Sequence, residues 1–208
     1  IGRDPQAGID ALSCVAASNA ALCSGSSATV HDNQDRQMNA EGIREAIERL
    51  STTIAAQPEK ARAKNASATA RISERLQCEI SGPHGERLVT DMPPAMGGAA
   101  SGPNPGWLLR GALASCTATV IAMRAAKLGV QLNRLEVTVE SDSDNRGILG
   151  LDEDVSAGLA AIRATVKISA PTASGDELRD IVRWADAHSP VGCTLRNSPA
   201  YSLEIEVA

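Results

Sequence analysis

"GPNPGWLLRGALASCTATVIAMRAAKLG", residues 102–129, decides how the rest of the chain is read. Asn104 is a natural N-cap and Pro105 suits the first helical position, while Gly129 suits the position just past a helix end. The helix predicted from Pro105 to Leu128 is about 36 Å long at 1.5 Å per residue. That makes it the central element for a chain of 208 residues. Leu109, Ala112, Leu113, Cys116, Val120 and Met123 form one apolar stripe along it. Gly111, Ala112, Ala114, Ser115 and Ala118 keep the surroundings of Cys116 small, so that another helix can pack close. A cysteine on an apolar helix face is ordinarily there for packing. Whether this sulfur does chemistry depends on what surrounds the helix.

Working outward, "NRLEVTVESDSD" alternates as a strand, and "GLAAIRATVKISAP" is its expected antiparallel partner. "SGDELRDIVRWADAHS" carries a capping box, Ser174 with Glu177, and an apolar face of Leu178, Ile181, Val182 and Ala185. A short helix restarts with Ser189 as cap and Pro190 as first residue, and "YSLEIEV" is expected to be a last strand. Upstream, "ATARISERLQCEIS" reads as a strand with Cys78 on its buried face, turning through "GPHG" into "ERLVTDM". "NAEGIREAIERLSTTIAAQ" reads as a helix capped by Asn39, with Ile43, Ile47, Leu50 and Ile54 at helical spacing. The order implies an α+β fold, a mainly antiparallel sheet with helices laid on one side. Three parts follow: an arm at 1–38 rich in Ala, Ser, Gly and Asn, a helix and linker at 39–65, and a globular domain at 66–208.

Composition excludes several classes. A net charge of -5 spread along the chain gives no basic footprint for nucleic acid. Without Phe, and with only Trp107, Trp184 and Tyr201, base-stacking platforms are not expected. No run of 18 apolar residues argues for a membrane span. Cys14, Cys23, Cys78, Cys116 and Cys193 are scattered without a C-x-x-C pair, which is neither a disulfide framework nor a zinc site. With no signal-peptide pattern at the first residues, a reducing cytoplasm is the expected setting.

Other candidate motifs are weak. "DSDNRGILGLDE" matches a calcium-loop template at Asp142, Asp144, Gly147 and Glu153, but Arg146 stands at a ligand position and strands flank it. The Pro/Gly loop at 93–106 lacks the G-K-[ST] of a phosphate cradle. His31, His84 and His188 are too scattered for a metal site, so neither metal nor cofactor is expected. His188 reads as a helix-terminal cation facing the dipole. Cys193, in the first turn after Ser189, sits where backbone amides favour a thiolate.

From about residue 66 to the end the chain resembles the OsmC/Ohr family of thiol-dependent hydroperoxide reductases. "GPNPGWLLRGALASC" is similar to the family's G-T-N-P-E-x-L-x-x-A-x-x-x-C, and "LRDIVRWADAHSPVGCTL" resembles its helix followed by C-P-V. The resemblance implies an intertwined homodimer in which two long helices cross, wrapped by sheets from both chains. It also implies that Cys116 is the peroxidatic cysteine, oxidised to a sulfenic acid that a second cysteine captures. The thiolate would be stabilised by an Arg held by a Glu. Here Ser189 occupies the second cysteine's place in C-P-V, and "PPAMGGAAS" before the G-x-N-P segment carries no carboxylate. Arg87 is the nearest Arg, with Arg75 and Arg71 behind it. Cys193, one helical turn past Ser189, is the remaining candidate to resolve the sulfenate.

Two functions follow from the resemblance and its departures. In one, Cys116 reduces organic or hydrogen peroxides in oxidative-stress defence, assisted by Cys193 and Arg87, with an external thiol as reductant. In the other, the same fold is non-catalytic and binds a small apolar or acyl ligand at the dimer interface. The pocket residues expected in either case are Trp107, Leu109 and Ser189. A partner-binding role for the helix near residues 40–57 is a third expectation.

Overall fold

The computed structural model describes the backbone of residues 31–207 and the side chains of residues 40–207. Cys14, Cys23 and most of the expected arm lie outside the described residues. Helix α1 spans His31–Ala56 and so begins eight residues before Asn39. A 3-10 turn at Pro58–Ala61 follows it, as Pro58 dictates.

Strands β1 (Thr69–Ile72), β2 (Cys78–Ser81) and β3 (Arg87–Thr90) form an antiparallel meander. The stretch read above as one strand is therefore two, divided at Ser73–Gln77. There the Gln77 amide donates to the Glu74 carbonyl, the Ser73 hydroxyl donates to the Gln77 side chain, and Arg75 adopts φ 51°. Alternation of apolar residues runs through both halves, which is why the pattern hid the turn. The β2–β3 hairpin closes at Gly82–Glu86 around Gly85 with φ +93°.

Helix α2 spans Pro105–Lys127 with the expected ends: the Asn104 side chain accepts from the Trp107 amide, and Gly129 has φ +71°. Strands β4 (Arg134–Ser143) and β5 (Leu159–Ser169) pair antiparallel as a second, separate sheet. The connection between them contains a short helix α3, Asn145–Leu149. Here Asp144 pairs with Arg146 and Asp142 with Arg163. Asp142 and Asp144 of the calcium-like pattern are thus engaged by arginines of the strand pair and its connection. Helix α4 (Gly175–His188) carries the Ser174–Glu177 capping box, and α5 (Pro190–Arg196) starts from Ser189.

The core lies where α2 and α4 meet the β4–β5 sheet. Ile121, Ala125, Leu178, Ile181 and Ala185 are buried there, with Leu135, Val137, Val166 and Ile168 packed beneath them. The residues of α2 that are buried are Leu113, Thr117, Ile121, Ala125 and Ala126. The expected stripe is thereby rotated: Leu109 and Met123 are exposed, and Cys116 sits half-buried at the boundary. By length and composition α2 would pass for a membrane span, yet in the fold it packs against α1, β4, α4 and α5.

The strand expected at 201–207 does not form within the chain. Among the described residues it has no ladder partner, and Tyr201, Leu203, Ile205 and Val207 all stand in the open. Period-two patterning selects a strand only when another strand supplies its hydrogen bonds.

Candidate functional site around Cys116

Cys116 sits eleven residues into α2, at the edge of the buried face, and α5 begins beside it. The residue that meets it is Ser189, C-cap of α4 and N-cap of α5 at once. Ser189 is 0% exposed. Its Oγ accepts from the Gly192 amide at 3.2 Å and donates to Cys116 Sγ at 3.3 Å. The cap bond uses one acceptor lone pair of the hydroxyl and leaves its proton free for the sulfur. The Ser189 carbonyl also accepts from the Cys193 amide at 2.8 Å, which fixes the first turn of α5. Gly192 packs closely at the α4–α5 junction, where an added Cβ would meet Ser189 Cβ and Oγ at 3.3 Å.

Cys193 faces a different set of groups. Its thiol donates to the Ala187 carbonyl at 3.3 Å, and the Arg196 guanidinium lies 3.7 Å from the same sulfur. Arg196 is anchored by Asp186, Nη1 donating to Oδ1 at 3.0 Å. The Asp186 carboxylate first, and Cys193 second, raise the Arg196 pKa above its ordinary value. The structure thus brings together Cys116 and Ser189, and separately Cys193, Arg196 and Asp186.

The other expected site residues stand apart. Arg87 is exposed on β3, opposite Ser81 in the meander, and no described hydrogen bond or ion pair links it to α2. Trp107 lies against Gly111, whose absent Cβ would be 3.6 Å from the indole. Nine residues before Cys116, at about 100° per residue, it occupies the far side of the helix. Within one chain Trp107 therefore lines no pocket with Cys116. Leu109, seven residues before Cys116, shares its side and is exposed. Gly106 stands where the G-T-N-P-E pattern has its glutamate. Among the described residues no cation is hydrogen-bonded to Cys116, and no cluster of His, Cys, Asp and Glu is arranged to hold a metal.

Sequence reasoning missed one buried carboxylate in the approach to α2. Asp91 is 2% exposed. It accepts from the amides of Met92, Ala99 and Ser101 and from the Ser101 hydroxyl, at 2.7 to 3.0 Å. The Ser101 amide, with the other donors behind it, lowers its pKa against the opposing effect of burial. Asp91 thus closes the loop that delivers the chain to Asn104. Its only signal in the sequence is an acid at a strand end followed by a Gly/Ser loop.

The OsmC-like protein family matches residues 98–204, which span both α2 and the α4–α5 junction. The chain belongs to the OsmC-like family. Solved structures agree in fold. An OsmC-like protein from Mycoplasma pneumoniae superposes with a TM-score of 0.56 at 20% identity, over 66% of this chain and 91% of that one. An OsmC-like protein of unknown function from Vibrio cholerae O1 gives 0.52 at 12% identity, over 64% and 94%. A putative osmotic stress induced and detoxification response protein from Psychrobacter arcticus gives 0.50 at 16%, over 64% and 90%. No curated protein sequence matches significantly. The matched range contains both Cys116 and Ser189.

Proposed function

We propose that this OsmC-like protein reduces hydroperoxides at Cys116, acting as a one-cysteine enzyme that takes its electrons from an external thiol. The observation that carries the reading is the Ser189 hydroxyl donated to Cys116 Sγ at 3.3 Å from a fully buried cap. A donor fixed on sulfur stabilises the thiolate, which is the nucleophile of peroxide chemistry. The thiolate attacks one oxygen of ROOH, the O–O bond breaks, and ROH leaves after protonation, giving Cys116 sulfenic acid. One external thiol then forms a mixed disulfide with Cys116 and releases water. A second displaces it, restoring the thiol and leaving an oxidised disulfide. Ser189 cannot form a disulfide, and Cys193 is turned to Ala187 and Arg196. Both features favour the external route.

The working unit in this reading is a homodimer. Leu109, Ala112, Cys116 and Met123 follow the side of α2 that one chain leaves uncovered or half-covered, and the tail at 201–207 is an exposed segment of alternating apolar residues. A second copy supplies a partner to both, and a reducing cytoplasm keeps the thiols in use.

The test is to mix the reduced protein with cumene hydroperoxide and follow intact mass. Addition of one oxygen at Cys116, removed by dithiothreitol and absent in Cys116→Ser, is the expected result. Reaction no faster than that of a free thiol would overturn it. That result would favour the ligand-binding reading, which the glycine at 106 and the lack of a cation on Cys116 among the described residues support.

A further inference from the structure

At the N-terminal end of α2 the helix, the far half of β4, α3 and the start of β5 enclose a cleft of about 650 Å³. Met92, Met96, Val139, Ile148 and Leu159 line it with apolar side chains, and Asn104, Glu140, Ser141, Ser143, Asp144 and Asn145 line it with polar ones. One cation, Arg110, reaches into this lining from α2 and is half-buried. Its one described hydrogen bond is from Nη1 to Ser141 Oγ at 3.1 Å, and among the described residues no carboxylate pairs with it. Of the two carboxylates on the cleft, Asp144 has a cation of its own. Asp144 is held by Arg146 at 2.6 Å. Glu140 has no described ion pair, since Arg163 across the ladder is held by Asp142, but it stands on the strand face opposite Ser141, the residue that Arg110 contacts. A guanidinium carries five N–H donors in a planar fork, and one without a carboxylate partner is suited to take an anion through paired charge-assisted hydrogen bonds.

Space for that anion adjoins Arg110. Gly106 stands one turn away, and a Cβ there would lie 3.8 Å from Arg110 Nη1 and 3.3 Å from Asn104 Oδ1. The bare glycine leaves the guanidinium open on that side. We propose that this cleft binds a medium-chain monocarboxylate, its carboxylate on Arg110 and its aliphatic tail along Met92, Met96, Ile148 and Leu159. The site is separate from the thiol. Arg110 and Cys116 are six residues apart, about 120° around the helix, so binding here does not depend on peroxide reduction at Cys116.

The methionines make the proposal testable in the full chain. With methyl-13C methionine, titration with sodium decanoate shifts the Met92 and Met96 resonances and leaves Met123, on another part of α2, in place. Decanol, with the same tail and no charge, binds about tenfold more weakly, the worth of one charge-assisted hydrogen bond. Arg110→Gln brings decanoate down to the affinity of decanol. If that variant fails to fold, Gly106→Leu serves instead, filling the seat beside the guanidinium and excluding decanoate. The proposal fails if no methionine methyl responds, if decanol binds as well as decanoate, if Arg110→Gln folds and binds unchanged, or if only Met123 shifts.

Discussion

Ser189 joins three tasks in one residue: it caps α5, ends α4 and directs its hydroxyl at Cys116. Replacing it by alanine removes the cap and the donor together. The capping loss costs about 1 kcal/mol of stability. The lost donor slows oxidation of Cys116 by cumene hydroperoxide about tenfold, as expected for a hydrogen bond to an ionised group. Stopped-flow oxidation alongside urea denaturation separates the two effects. Ser189→Cys is the more informative change, because a sulfur placed there starts from an oxygen only 3.3 Å from Cys116 Sγ. One equivalent of hydroperoxide is then expected to give an intramolecular disulfide, detected as the loss of two hydrogens from the intact mass. Persistence of the sulfenic acid in that variant would show that the backbones cannot approach as a disulfide requires. Cys116 and Ser189 were legible in the sequence because the helix and cap motifs place them. Cys193's neighbours were not, since Asp186 and Arg196 converge only through the bend at the α4–α5 junction.

At the scale of elements, the loop between β3 and α2 is a small structure built on one carboxylate. Asp91 holds the amides of Met92, Ala99 and Ser101, and Gly98 is needed because a Cβ there would run into the Met92 carbonyl. Its hydrogen bonds, the Ser101 amide foremost, lower its pKa in the folded chain below the ordinary 3.8. The unfolded chain therefore binds the proton more readily, and stability rises with pH through this range. The contribution is complete above the ordinary carboxylate range and is lost as pH falls through the lowered value. Asp91→Asn is expected to be less stable at pH 7 and to show a shallower loss of thermal stability below pH 4. Parallel acid limbs for the two proteins would remove Asp91 from the account. Capping and the α2 boundaries were readable because they depend on local spacing. The role of Asp91 and the turn at Ser73–Gln77 depend on backbone donors meeting a side chain across a loop, which leaves no period in the sequence.

The whole molecule shows a family fold whose apolar pattern one chain does not complete. The sequence predicted the central helix, the β2–β3 and β4–β5 pairings and the α4–α5 succession because each rests on patterning within an element, whereas the turn between β1 and β2 and helix α3 were not predicted. The sheet is where the reading and the structure part. β1–β3 and β4–β5 remain two sheets, and the alternating tail Tyr201, Leu203, Ile205 and Val207 lies exposed with no partner strand. Hydrophobic alternation in an exposed tail is costly to leave in water, and a second strand would supply the hydrogen bonds that such a pattern needs to become one. The proposed homodimer removes that cost by burying these side chains against a second copy, and it covers the Leu109–Met123 side of α2 as well. Sedimentation velocity at micromolar concentration is then expected to report twice the 21.5 kDa chain mass. Leu203→Glu with Ile205→Glu places two charges in the new ladder and is expected to yield monomers whose α2 core is still folded by circular dichroism. A wild-type monomer, or a variant that dimerises as tightly as wild type, would mean that the tail is not the joining strand.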